Sequence, residues 1–173
     1  QAAFAVLMLT GRVAPCLTSA FPITKIKLQG RYLGFNIDDF IVFTYDSETE
    51  REAKLLAQIK HSISITDGND TFGEVIQAAW NDFNDSEVFT FGTDAFALIT
   101  GPLSATDIND TRTILEWARF SENEKDFINK VNMAKFSSKA KKAKLKVFRT
   151  HLKKANNDTD VSDEQLWKFM KVF

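Results

Sequence analysis

The sequence predicts an α/β fold, a mixed β-sheet flanked by helices, with a C-terminal helical extension. Three observations carry this. Residues 36–45 and 53–62 are two β-prone runs around a polar, turn-like insert, 46–52, of Asp, Ser, Thr and Glu, which is the pattern of a β-hairpin. An amphipathic segment over 70–85 then leads into a short apolar run, Ala95–Thr100, closed by Gly101-Pro102. Strand, helix, strand implies a parallel crossover beside the hairpin. From Ser104 onward the pattern is helical to the end. At 173 residues, the chain suits one domain or a domain plus an extension. The expected division is an α/β core over 1–103 and a helical extension over 104–173 packed on it as one compact domain. Hydrophobic residues at 44%, with 16 Phe, are enough to build a core.

Taken in order, residues 1–10 are apolar nearly all round, as in a buried helix, and Gly11 suits its C-terminal cap. Pro15 and Pro22 mark a connector over 12–22. Residues 23–29 alternate Ile23, Lys25 and Lys27 against Thr24, Ile26 and Leu28, predicting the first strand. A turn or bulge over 30–36 enters the Asp38/Asp39 strand. After Lys60, residues 62–69 form a polar turn with Asp67-Gly68. Phe72, Val75, Ile76, Ala79, Trp80 and Phe83 then recur at helical spacing. Ser104 and Thr106 are candidate caps of the next helix, which carries Ile108, Ile114, Leu115, Trp117 and Ala118. Ser121-Glu122-Asn123-Glu124 has capping-box spacing before Phe127, Ile128, Val131 and Met133. Ser137 or Ser138 opens a helix to about Ala155, and Ser162 caps the last one. Trp80 and Trp117 lie on apolar helix faces and are expected in the core.

The net charge of −1 argues mildly against a nucleic-acid binder in bulk, but its distribution matters more. A single cysteine, Cys16, excludes an internal disulfide and fits a reducing, cytoplasmic setting. With no His or acid near it in sequence, it is expected to be buried packing and not a nucleophile. The apolar run Ala2–Leu9 is too short to span a bilayer and lacks a preceding basic residue, so neither a membrane span nor a targeting signal is expected. The last residues, from Leu166, stop within an apolar pattern, which reads as a fragment of a longer protein.

The hairpin carries the chemistry. Asp38 and Asp39 open its first strand, and Gln58 and Lys60 close its second. Alternation puts Gln58 and Lys60 on one face and Ile59 on the other. Antiparallel pairing brings the start of one strand to the end of the next, so Asp39 is expected beside Gln58 and Lys60. A carboxylate and a neighbouring carbonyl oxygen suit Mg²⁺, and an ammonium can offset charge building on a phosphate. Each residue also has a plainer role: Asp-Asp is common in turns before strands, and Gln-x-Lys can be a strand end.

An Asp followed on the next strand by Gln-x-Lys resembles the PD-(D/E)xK, or restriction-endonuclease-like, superfamily in its Gln-x-Lys variant. Asp38-Asp39-Phe40-Ile41-Val42 and Ala57-Gln58-Ile59-Lys60-His61 are similar to the N-terminal effector nucleases of bacterial antiphage defence proteins. The resemblance spans about residues 1–101, where helix, strand, Asp strand, Gln-x-Lys strand, helix and strand follow the superfamily's order. It implies a Mg²⁺-dependent double-stranded DNA endonuclease with little sequence preference, in which Mn²⁺ can substitute. Asp39, Gln58 and Lys60 would be catalytic. Asp39, Gln58, the Ile59 carbonyl and Asp38 would be metal ligands. Lys60 would position or deprotonate water, although a free lysine titrates near about 10.4 and a base role requires lowering that value. Gln1 stands where the family's first helix places a polar side chain. Gln29 stands where the family has a Glu, which puts a second metal position in doubt. His61 is a further candidate, set against the plainer role of a strand-edge histidine. The resemblance also implies coupling to sensor or NTPase domains and activation by homo-oligomerisation.

Residues 135–154 hold Lys135, Lys139, Lys141, Lys142, Lys144, Lys146, Arg149, Lys153 and Lys154 with no acid. The apolar positions Ala140, Leu145, Phe148 and Leu152 form a narrow seam, leaving the rest to present charge. Lys139, Lys142, Lys146, Arg149 and Lys153 are candidate phosphate contacts, against the plainer reading of a solvated face. His151 is expected at the surface. The alternative function is an inactive nuclease-like module that binds nucleic acid or a partner.

Overall fold

A computed structural model describes residues 1–173. Its elements are α1 (Ala2–Leu9), β1 (Ile23–Leu28), β2 (Phe40–Asp46), β3 (Arg51–Lys60), α2 (Asp70–Phe83), β4 (Ala95–Thr100), α3 (Ala105–Arg119), α4 (Glu124–Asn132), α5 (Lys139–Ala155) and α6 (Asp163–Val172). The strands form one sheet in the order β1-β2-β3-β4. β1 and β2 pair antiparallel, as do β2 and β3. The return through α2 makes the sheet mixed, so the fold is α/β with a C-terminal run of helices. No helix is long and apolar enough to cross a membrane.

The chain groups into two compact units. The first comprises Gln1–Ile59 and Asn81–Ile99, the second Lys60–Trp80 and Thr100–Phe173. In the first unit, the β2–β3 hairpin turns at Asp46, whose carboxylate accepts from the Glu48 N–H at 3.2 Å and from the Thr49 hydroxyl. Phe40, Ile41 and Val42 are buried in succession, as are Leu55, Leu56 and Ala57. These strands are covered on both faces, so their sequence is a continuous apolar run without alternation. Phe4, Leu7 and Met8 of α1 pack on Ile23, Phe40, Val42, Leu55 and Ala57. Phe4 meets Phe40 edge-on at 4.9 Å.

Helix α1 corrects the sequence reading. None of its residues is buried, and Leu9 is 82% exposed. One stripe packs while the rest faces outward, because a chain can be apolar all round without finding cover on every side. Gly11 follows the helix at φ +64°, a left-handed position that favours glycine. Cys16 is exposed and not buried, in a turn where its own φ is 73°.

Between β1 and β2 the chain makes a short 3-10 turn, Gly30–Leu33. Gly30 is buried beneath Ile41, whose side chain occupies the space a Cβ would need. The residues entering β2 are held by Asp82, near the end of α2. Its carboxylate accepts from the Asn36 N–H at 2.9 Å, the Ile37 N–H at 2.7 Å and the Asn36 side-chain amide at 2.7 Å. Burial raises the Asp82 pKa above its ordinary value, although these donors pull it the other way. Asp94 is buried as well, accepting from the N–H groups of Lys54 at 2.8 Å and Thr90 at 2.9 Å, with the Lys54 ammonium at 3.2 Å.

In the second unit, Phe72, Phe148, Phe169 and Phe173 form an aromatic core joined by Trp80. Ser104, Ser138 and Ser162 cap α3, α5 and α6, each accepting from a backbone N–H three residues on, and Ser162 with Gln165 completes a capping box. Helix α4 differs from expectation: Asn123 is its cap, accepting from the Asp126 N–H at 3.0 Å, while the Ser121 hydroxyl donates to the Trp117 carbonyl. His151 is 3% exposed, correcting the surface assignment. Its Nε2 lies 2.9 Å from the Thr66 carbonyl, and Gly73 leaves room for its ring.

Lys144 is also buried, donating to Asp107 and to the Ile65 carbonyl at 2.6 Å. Burial pushes the Asp107 carboxyl up, but the Lys144 ammonium and the Ser104 contact outweigh it and hold the pKa below its ordinary 3.8. A lowered native pKa gives stability that is complete above the unfolded value and lost as pH falls through the native one. Lys144→Met should therefore lower the urea midpoint at pH 7, with the gap to wild type narrowing as pH drops below about 4. A gap independent of pH would contradict this coupling. Separately, Asp82→Ala should lose about 1–3 kcal/mol in urea unfolding, because the buried Ile37 N–H is left without an acceptor. Wild-type stability in that variant would show that Asp82 does not hold the entrance to β2.

Candidate metal and phosphodiester site

The hairpin register assembles the candidate site. Phe40 pairs with Ala57, and one step further sets Asp39 opposite Gln58. Asp39 Oδ2 accepts from Gln58 Nε2 and from the Ile59 N–H, the latter at 2.8 Å. Gln58 is 7% exposed, whereas Asp39 remains half-buried with access to solvent. On the other side, β1 pairs Leu28 with Phe40, and the Gln29 N–H donates to the Asp39 carbonyl at 3.4 Å. Gln29, Asp39 and Gln58 thus form a row across the ends of three neighbouring strands. Gln29 itself is exposed with φ 54°, leaving the strand in a left-handed turn. The neighbouring Asp38 gives its carbonyl to the Gly30 N–H at 2.6 Å.

Lys60 is the last residue of β3, half-buried, and strand alternation sets it on the Gln58 side. Its carbonyl accepts from the Gly101 N–H at 3.4 Å. His61 follows as an exposed residue, and Gly101 sits against its carbonyl so closely that a Cβ there would collide. Gln1 is exposed at the start of α1 and makes no capping hydrogen bond with its side chain. Of the expected residues, the fold brings Asp39, Gln58 and Ile59 into direct contact.

Asp39 Oδ2 takes both donors, while Oδ1 accepts no hydrogen bond and keeps its lone pairs. Mg²⁺ is commonly held by one or two carboxylates with several waters and substrate phosphate oxygens. A free carboxylate oxygen beside a carboxamide fits such a sparse site. Nowhere does the chain gather three or more His, Cys, Asp or Glu side chains into a ready-made metal cage. Gln58 presents Nε2 to Asp39, so sharing an ion would require its amide to turn and offer Oε1.

Helix α5 presents a second surface. Lys139, Lys142, Lys146, Arg149 and Lys153 lie within one arc of the helix at its 100° step. Lys139, Lys142, Lys146 and Lys153 are exposed and Arg149 half-exposed. Arg149 pairs with Asp163, Lys153 with Asp160 at 3.1 Å, and Lys142 donates to the Asn132 carbonyl at 3.2 Å. Lys139 and Lys146 have no such partner. The apolar seam is wider than expected: Lys144, Val147, His151 and Ala155 are buried with Leu145, Phe148 and Leu152. Lys144 and Lys141 are tied to Asp107 and Asp110 and belong to the packed side.

Sequence reasoning missed Asp82, Asp94 and Asp107 as buried carboxylates. Only Asp107 had a local signal, three residues after the candidate cap Ser104. The partners of Asp82 lie 45 and 46 positions away.

No protein-family model matches the chain, and no curated protein or solved structure is significantly similar to it.

The Asp39–Gln58 contact has a measurable consequence. Asp39→Ala strands the buried amide of Gln58 and should lose about 1–3 kcal/mol of stability, part of which a further Gln58→Leu should restore. Additive losses in the double variant would mean that the two side chains do not interact.

Proposed function

We propose that the chain is a PD-(D/E)xK-type nuclease domain that hydrolyses phosphodiester bonds of double-stranded DNA with Mg²⁺, or Mn²⁺ in its place. The observation that carries the reading is the pairing of Asp39 with Gln58 at the adjoining ends of β2 and β3, with Lys60 two residues on. Support comes also from the element order, α1, β1, β2, β3, α2, β4, which is the order the resemblance implies. The resemblance of residues 38–42 and 57–61 to antiphage effector nucleases supports an effector role beside sensor or NTPase domains, in a homo-oligomer, in the cytoplasm.

Asp39 Oδ1, Gln58 Oε1 and the Ile59 carbonyl would hold the ion, with Asp38 as a further ligand. The bound ion would supply Lewis acidity and an acidified water. Lys60 orients the attacking water and offsets the negative charge that grows on the phosphate oxygens. Water attacks phosphorus, one P–O ester bond breaks, and the leaving oxygen takes a proton. The arc from Lys139 to Lys153 contacts phosphates without reading bases, so cleavage shows little sequence preference.

A second reading, an inactive module that binds nucleic acid or a partner, is favoured by Gln29 where an acid would add charge and by the Gln58 amide nitrogen turned to Asp39. Plasmid degradation separates the two. With Mg²⁺ or Mn²⁺ the chain, assembled with its full-length protein, should nick and linearise plasmid. EDTA should abolish this, and Lys60→Ala or Asp39→Ala should slow it by roughly a hundredfold or more. Cleavage that survives EDTA and Lys60→Ala would overturn the site, and no cleavage by the assembled protein would favour the inactive module. Lys139→Ala and Lys146→Ala should each weaken DNA binding and reduce the log–log salt slope by about 1.

A further inference from the structure

Near the start of α5, the second unit exposes aromatic surface that its core does not use. Trp117 of α3 and Phe136 of the α4–α5 loop stack at 4.9 Å with their planes 19° apart. Phe136 is 53% exposed, Met133 beside it is exposed, and Phe120, one turn beyond Trp117, is 82% exposed. A core pair would be sealed by neighbours, yet Phe136 stays largely exposed and Trp117 half-buried.

Its charge surroundings are one-sided. Lys135 and Lys139 flank Phe136 in sequence, both exposed and unpaired, and the arc continues through Lys142 to Lys146. The acids of the adjoining helices are already engaged: Asp110 by Lys141, Asp107 by Lys144, Glu116 by Arg112 and Asp126 by Lys130. Glu124 opens α4 and Met133 follows its end, about 13 Å apart at the helical rise, and Glu122 lies before that start.

We infer that the Trp117–Phe136 pair is a stacking platform for an unpaired nucleobase, with Lys135, Lys139, Lys142 and Lys146 holding the adjoining phosphates of a single strand. Open aromatic faces beside a cationic track are the means by which proteins bind single strands without sequence preference, because every base offers a π-face. A purely phosphate-binding surface has no use for an exposed Phe stacked on a half-buried Trp. A duplex keeps its bases stacked inside, so the platform selects strand ends, loops or melted segments. This inference deepens the proposed nucleic-acid role and rests on it, but needs no hydrolysis.

The test is binding in EDTA, where no cleavage occurs, using a 20-nucleotide oligothymidylate, an abasic strand of equal length and a 20-base-pair duplex. Trp80 and Trp167 are buried, so Trp117 is the accessible fluorescent reporter. Oligothymidylate should quench its emission, and Trp117→Phe should remove that quenching while binding, followed by anisotropy, persists. Phe136→Ala should weaken oligothymidylate binding by roughly five- to a hundredfold and leave the abasic strand unchanged. The Lys139→Ala variant should weaken both strands alike. Equal affinity of wild type for the abasic strand and oligothymidylate, no effect of Phe136→Ala, or no binding of either strand would each overturn the platform. Plasmid cleavage retained despite such a result would leave the hydrolase reading standing. Oligothymidylate binding that responds to Phe136→Ala without any cleavage would support the platform and reject only hydrolysis.

Discussion

The antiparallel register of β2 against β3 is the constraint on which the candidate chemistry depends. It pairs Phe40 with Ala57 and Val42 with Leu55, and thereby sets Asp39 against Gln58. Because side chains alternate along a strand, a slip of one residue would exchange the set packed with α1 (Phe40, Val42, Leu55 and Ala57) for the Ile41 and Leu56 set of the other covered face, and each set is fitted to its own neighbours. The buried core therefore fixes the register, and the polar pair at the strand ends inherits its position from apolar packing. The Thr44 hydroxyl, donating to the Ala53 carbonyl at 3.0 Å, adds a hydrogen bond between the same two strands.

Buried carboxylates then hold the connections that packing alone leaves loose. Asp82 gathers the N–H groups of Asn36 and Ile37, just before the strand that Asp39 opens. Asp94 does the same for Lys54 and Thr90. In the second unit, Asp107 joins the start of α3 to Lys144, which also reaches the Ile65 carbonyl. A charge buried this way is tolerated because donors surround it, and removing one partner leaves the other without compensation. Asp39 differs from these three: half-exposed, with one oxygen free, it keeps a bonding capacity that the fold does not consume.

What was legible in the sequence was local. Ala95–Thr100 is an apolar run cut off by Gly101-Pro102, and the strand occupies those residues. Ser104, Ser138 and Ser162 cap their helices because a cap needs only its own next three residues. The Asp39–Gln58 contact was legible because a hairpin is also a local object. The misses were set by distant chain. His151 belongs to a helix full of lysines, and only the carbonyl of Thr66 and the small Gly73 explain its burial. Lys144 looks like its solvated neighbours until Asp107 is brought beside it. The outward face of α1 and the exposed Cys16 show the converse, since hydrophobic character in a sequence does not guarantee cover. Trp117 is half-buried for the same reason: it stacks on Phe136, itself 53% exposed, and is not sealed in a core.

The two surfaces carry different chemistry from one near-neutral chain. A total charge of −1 conceals a stretch of nine basic residues without an acid, part of which is spent on internal pairs and part left exposed. In the proposed function the exposed part would supply affinity for phosphate, and the end of the hairpin reactivity toward it. The most direct test of the central claim is to soak crystals with Mn²⁺ and record anomalous scattering at its absorption edge. The account predicts a peak within coordination distance of Asp39 Oδ1 and the Gln58 side-chain oxygen, lost in Asp39→Ala. Mn²⁺ bound elsewhere, with the Gln58 amide nitrogen still turned to Asp39, would contradict it.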